Sequence, residues 1–147
     1  MIDQIPESIR KIIKNLRGQD GRCTNLPIFC VQKKERTYGF DPHWSDEFIW
    51  MDRSEEVYDE DLLAVLNKKD EMHDDIDYRF YKCYYRDTWL SVQPFLTEVG
   101  AQAYIDCNAH NLGGKENCRI YVESGWRNAE WQEIRSFLLT LDAKATD

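Results

Sequence analysis

Residues 85–131, YRDTWLSVQPFLTEVGAQAYIDCNAHNLGGKENCRIYVESGWRNAEW, decide how the chain is read. They run as strand, helix, strand and the start of a last helix. Thr88–Leu96 has the β-branched and aromatic content of a strand, and Pro94 marks an edge position or a bulge near its end. Thr97 is an N-cap for the next helix. Its apolar face (Val99, Ala101, Ala103, Tyr104, Cys107) is small enough to lie close on a sheet. Asn111 or Gly113–Gly114 ends that helix. Cys118–Val122 reads as a strand and Ser124–Gly125 as a turn. Asn128 caps a final helix with Trp131, Ile134, Leu138 and Leu141 at helical spacing. The tail from Asp142 to Asp147 is expected to fray.

Upstream, Ile5, Ile9, Ile12, Ile13 and Leu16 share one helical face, which predicts a helix over 5–17 with Pro6 and Glu7 in its first turn and Gly18 as its stop. Residues 18–26 form a polar loop. Pro27–Lys33 and Phe48–Asp52 read as an antiparallel pair of strands, joined by a long aromatic loop with a turn at Tyr38–Pro42 and with His43 and Trp44. Ser54 is an N-cap candidate for a short acidic helix over about 58–68, with Leu62, Leu63 and Leu66 as its stripe. Residues 69–77, KDEMHDDID, read as a mobile acidic loop. Tyr78–Tyr85 alternates as a strand, with Tyr78, Phe80, Lys82 and Tyr84 on one side, and Arg86–Asp87 turns the chain into Thr88–Leu96. The expected architecture is a single α+β domain over 1–147: a mainly antiparallel, twisted sheet of about five strands with helices packed on it.

The chain has 147 residues, 42% hydrophobic, 13% aromatic and 31% charged, which is the composition of a globular protein with a core. No apolar run approaches the roughly 20 residues that span a bilayer. The first seventeen residues lack the apolar centre of a secretion signal, so a cytoplasmic protein with no membrane contact is expected. Five cysteines without a secretion signal argue against a disulfide framework. The net charge of −8 is uneven: residues 41–77 hold fourteen acids and three bases, a net of −11. That segment is a poor surface for direct nucleic-acid binding, which needs Lys and Arg at phosphates. It suits a basic partner, or a partner site that normally holds nucleic acid.

Cys107, His110 and Cys118 are zinc donor types spaced C-x2-H-x7-C, but a fourth ligand and paired two-residue knuckles are missing, so no metal or cofactor is expected. Cys107 or Ser124 with His110 would be the nucleophilic pair. No nucleophile elbow, phosphate loop or H-E-x-x-H accompanies them, and the chain is read as a non-enzyme. Arg127 beside the N-terminus of the last helix, with His110, Arg119 and Asn128, is the candidate set for a small anionic ligand. Trp44, Trp50, Trp126 and Trp131 cannot all be deep core in a domain this small; each taken singly reads as a core aromatic with its N–H satisfied, and the alternative is an interface anchor.

Two runs, F-L-T-x3-A-x2-Y-I-x2-N-x-H-N-L at Phe95–Leu112 and R-I-Y-V-x-S-x-W-R-N-x-E-W at Arg119–Trp131, resemble small proteins of unknown function encoded by phages and prophages. The segments Pro27–Gln32 and Tyr38–Trp50 look similar too. The resemblance implies a setting, the bacterial cytoplasm and accessory genes that block host machinery, and no assigned catalytic residue. Setting and charge together give the expected function: a phage-encoded accessory protein that binds and inhibits a host anti-phage protein, such as a CRISPR effector, through an acidic surface that mimics nucleic acid. The partner-binding residues would be Trp44, Asp46, Glu47, Asp52, Glu55, Glu56, Asp59, Glu60 and Asp61, on a monomer or homodimer. The alternatives are a small ligand-binding domain or enzyme using the His110 and Arg127 loops, and a phage structural or assembly component.

Overall fold

A computed structural model describes residues 5–143. The fold is α+β, with the elements α1 (Glu7–Gly18), β1 (Pro27–Tyr38), β2 (Phe48–Asp52), β3 (Glu55–Glu56), α2 (Glu60–Glu71), β4 (Phe80–Phe95), α3 (Glu98–Asn108), β5 (Cys118–Ser124) and α4 (Ala129–Ala143). Short 3-10 turns at Ala109–Asn111 and Lys115–Asn117 lie between α3 and β5. The strands form one antiparallel sheet in the order β3-β2-β4-β1-β5. Contacts divide the chain into two compact units, residues 1–34 with 89–147, and residues 35–88.

In the first unit β1 is buried over residues 29–32, because a helix covers the face that carries Phe29 and Val31 and its other face holds Cys30 and Gln32. Pairing with β5 sets Phe29 opposite Val122 and Val31 opposite Ile120, so these four side chains share a face. Ala101, Ile105 and Ala109 pack on them. Of the face expected for α3, Ala101 is buried and Tyr104 partly so, while Val99, Ala103 and Cys107 are exposed; the i, i+4, i+8 spacing of Ala101, Ile105 and Ala109 sets the face that meets the sheet. The Thr97 hydroxyl accepts the Gly100 N–H at 3.0 Å, as a cap should. α1 buries Ile13 and Leu16 and packs with α4, and Arg17 Nη2 donates to the Leu139 carbonyl at 2.7 Å. Of the tail expected to fray, residues 142–143 belong to α4 and 144–147 lie outside the described residues.

The unit of residues 35–88 has its own small core of Trp50, Val57 and Leu66, with Phe48, Leu62, Leu63, Ile76 and Phe80 against it. Trp50 Nε1 donates to Asn67 Oδ1 at 2.8 Å, which satisfies the one polar atom of a buried indole. Phe48, Trp50 and Asp52 stand opposite Tyr84, Lys82 and Phe80. The predicted alternation of Phe80, Lys82 and Tyr84 is therefore the observed one, and the Lys82 ammonium lies 4.8 Å from the Phe48 ring centroid.

Four further expectations need correction. No turn occurs at Arg86–Asp87: β4 is one sixteen-residue strand. The polar pair sits inside it because Asp87 accepts two bonds from Arg36, at 2.8 and 3.0 Å. The strands Pro27–Lys33 and Phe48–Asp52 are not partners, since β4 lies between β1 and β2. Ser54 caps nothing: it lies in the β2–β3 turn, where Arg53 takes a positive φ of 58°, and Asp59 caps α2 by accepting the Leu62 N–H at 2.9 Å. Glu55–Glu56 pairs with Met51–Asp52 and holds the chain extended up to Val57, which delays the helix. Residues 69–71 belong to α2 rather than to a loop, and Asp70 pairs with Lys82 at 2.6 Å.

Candidate functional site

The acids of the 35–88 unit fall into two groups. One group is occupied within the fold. Asp52 takes a bidentate grip from Arg79, at 2.9 Å from Nε and 2.5 Å from Nη2, and this hydrogen bonding holds its carboxyl below the usual range. Glu56 accepts the Tyr58 hydroxyl at 2.9 Å, Asp59 is the α2 cap, and the Glu47 carbonyl accepts the Tyr85 N–H at 3.0 Å. Asp41 accepts from the His43 backbone N–H at 2.9 Å and lies 2.8 Å from its ring nitrogen; the backbone bond first and the ring second lower its pKa.

The other group faces solvent. Asp46, Glu55, Glu60, Asp61, Glu71, Asp74 and Asp75 are exposed, and no ion pair neutralises them among the described residues. The unit holds sixteen acids and seven bases, a net of −9, against +1 for the rest of the chain. Glu60 and Asp61 sit in the first turn of α2, where the helix dipole favours them. Trp44 is 70% exposed, on a loop tied by hydrogen bonds from Gly39 and Phe40 N–H to the Tyr84 carbonyl and from Arg86 to the Trp44 carbonyl. Of the nine residues expected to meet a partner, Trp44, Asp46, Glu55, Glu60 and Asp61 are thus both exposed and unpaired, while Glu47, Asp52, Glu56 and Asp59 have structural duties.

The second candidate set does not come together. His110 precedes β5 and Arg127 follows it, and a seven-residue strand is about 20 Å long. His110 is exposed in a 3-10 turn. Asn128 Oδ1 accepts the Trp131 N–H at 3.1 Å, so it is a helix cap. The Arg127 guanidinium lies 4.1 Å from the Trp126 ring centroid, with both residues exposed. Arg119 points onto the sheet: Nε donates to Gln32 Oε1 at 2.8 Å, and the guanidinium lies over Trp89 at 4.3 Å and Tyr121 at 5.2 Å. Gln32, nearly buried, passes a bond to Ser91 Oγ at 3.3 Å. These contacts make Arg119 a cross-strand brace.

Cys107 and His110 are exposed, and the half-buried Cys118 thiol donates to the Gly114 carbonyl at 3.3 Å. Burial first, then Glu116, raises the Cys118 pKa. Among the described residues, no three His, Cys, Asp or Glu side chains gather as a metal would require. No helix among them is long and apolar enough to cross a membrane.

The sequence reading missed the salt bridges that sort the acids, Arg79–Asp52 and Lys82–Asp70. The Lys82 partner had a signal: a lysine alternating with Phe80 and Tyr84 must lie against the helix covering that face. No protein-family model, curated protein or solved structure matches the chain.

Proposed function

We propose that this protein is a binding protein, and that the exposed acids of residues 35–88 occupy a basic site on a partner that otherwise holds nucleic acid. The observation that carries the reading is the concentration of a −9 charge in that unit, with Asp46, Glu55, Glu60 and Asp61 unneutralised and Trp44 exposed in the same unit. Unpaired surface carboxylates steer a basic partner and raise its on-rate, and an exposed Trp is a strong anchor. Four of the nine acids and aromatics first named are better credited with holding the surface than with touching a partner. In the phage setting that the motif resemblance implies, the partner would be a host anti-phage nuclease such as a CRISPR effector.

The test is a tagged pull-down from bacterial lysate, followed by affinity measurement on the recovered protein over a range of salt. Duplex DNA should compete with the bound protein. Neutralising Asp46, Glu55, Glu60 and Asp61 together (D46N, E55Q, E60Q, D61N) should weaken binding about tenfold or more and flatten its salt dependence. Unchanged affinity and an unchanged salt slope in that variant would remove the basis of the reading.

A further inference from the structure

β5 is an edge of the sheet. The strand order is β3-β2-β4-β1-β5, so Cys118–Ser124 is paired on one side only, with Pro27–Lys33 of β1. Peptide groups along an antiparallel strand point alternately to its two sides, so about half of those in β5 face away from β1. Among the described residues no backbone hydrogen bond from any other element reaches residues 119–123. Sheet edges are commonly guarded by Pro, Lys or a bulge. CRIYVES has neither Pro nor Lys, and its register with β1 is unbroken over all seven residues.

The side chains of β5 are also self-complementary. Two copies of the strand, laid antiparallel with Tyr121 opposite Tyr121, set Ile120 against Val122 and Arg119 against Glu123, each pair occurring twice. Opposite residues share a face, so apolar meets apolar on the side that carries Ile120 and Val122, which pack on the core of this unit. On the other side Tyr121 is 46% exposed. There Arg119 and Glu123 have no ion-pair partner among the described residues. Shifting the two-fold axis by one residue loses the Arg119–Glu123 match. The charges beside the strand are already neutralised: Arg22, Glu98 and Lys115 line a cavity with Cys118, Arg119 and Ile120, and Arg22 pairs with Glu98 and Lys115 with Asp106. The unit that holds β5 carries +1, whereas residues 35–88 carry −9 and would repel a copy of themselves.

We propose that β5 is the contact surface for a second copy of this chain. Two β5 strands pair antiparallel about a two-fold axis at Tyr121, with Arg119 of each copy against Glu123 of the other. Such an interface is isologous and closes at two copies. A seven-residue strand is about 20 Å long, and so small a contact makes a weak dimer, with a dissociation constant on the order of 10 μM. The dimer does not rest on the reading of the acidic surface.

Sedimentation velocity of the full chain from about 1 μM to about 1 mM measures the association, and amide hydrogen exchange at the two ends of that range locates it. The natural chain should pass from monomer to dimer, and amides within 118–124 should exchange more slowly at the concentrated end. Arg119→Glu or Glu123→Arg alone sets like charges opposite each other twice, and each should weaken association about tenfold or more. The double variant R119E, E123R restores both pairs and should recover the dimer. The D46N, E55Q, E60Q, D61N variant should dimerise at least as well as the natural chain, since it carries less repulsive charge. A chain that stays monomeric throughout would overturn the proposal. So would a trimer or larger species, a dimer whose 118–124 amides exchange at the monomer's rate, or a folded double variant no better than the single ones. The exchange measurement uses the natural chain, so it decides the matter even where a variant fails to fold.

Discussion

Replacing Trp50 by alanine should remove the centre of the 35–88 unit. Trp50 is 5% exposed and packs with Val57 and Leu66. A Trp side chain covers roughly 150–250 Å², which at about 25 cal/mol/Å² is ~4–6 kcal/mol as an upper bound. Core Trp→Ala changes cost about 3–5 kcal/mol, and this site should fall in that range because only two other side chains of the cluster are fully buried. The hydrogen bond to Asn67 is a smaller part. Asn67 is exposed, so Asn67→Ala should cost only about 1 kcal/mol. Trp50→Phe should fall between the two, because the edge-on packing on Phe48, with centroids 5.9 Å apart, survives in part. Urea melts followed by far-ultraviolet circular dichroism measure all three. In a domain of this length, W50A should lower the melting temperature by on the order of 10 °C. A W50A loss under about 1 kcal/mol, or an N67A loss as large as that of W50A, would show that burial at this position is not what holds the unit together.

Two further outcomes follow from the same geometry. The Asp52 carboxyl is held below its ordinary value by Arg79, so its folded pKa lies under its unfolded one. The stabilisation is then present above about pH 4 and is lost as pH falls through the folded value. Stability measured from about pH 6 to 3 should fall less steeply in Asp52→Asn than in the natural chain, and identical profiles would refute the pairing. Cys30 is buried, and its thiol is pushed up by burial and then by Glu123, whereas Cys23 and Cys107 are exposed. Iodoacetamide at neutral pH should modify Cys23 and Cys107 in the folded protein and Cys30 only after denaturation. Peptide mapping that found Cys30 as reactive as Cys107 would contradict the placement of β1.

Much of the fold was legible along the chain wherever the deciding physics is local. The stripe Ile9, Ile12, Ile13 and Leu16 made α1 a helix, and Thr97 and Asn128 are the caps their side chains predict, because a cap is settled within three residues. The charge asymmetry was legible too, since counting needs no contacts. Other features depended on residues far apart in sequence. Arg86–Asp87 has the polarity of a turn, and Arg36, some fifty residues earlier, grips Asp87 within the strand. Ser54 and Asp59 are both good caps, and the pairing of Glu55–Glu56 with β2 chose between them.

The candidate site divides the same way. Residue types named the acids between Asp46 and Asp61 without telling which were free. The sorting came from Arg79, Tyr58 and the α2 backbone, which neutralise or occupy Asp52, Glu56 and Asp59. The sequence by itself determined where charge and hydrophobic periodicity lie, since both are properties of neighbouring residues. The tertiary structure alone decided which charges remain unpaired and which polar atoms are enclosed, since both depend on what folding brings within hydrogen-bond distance.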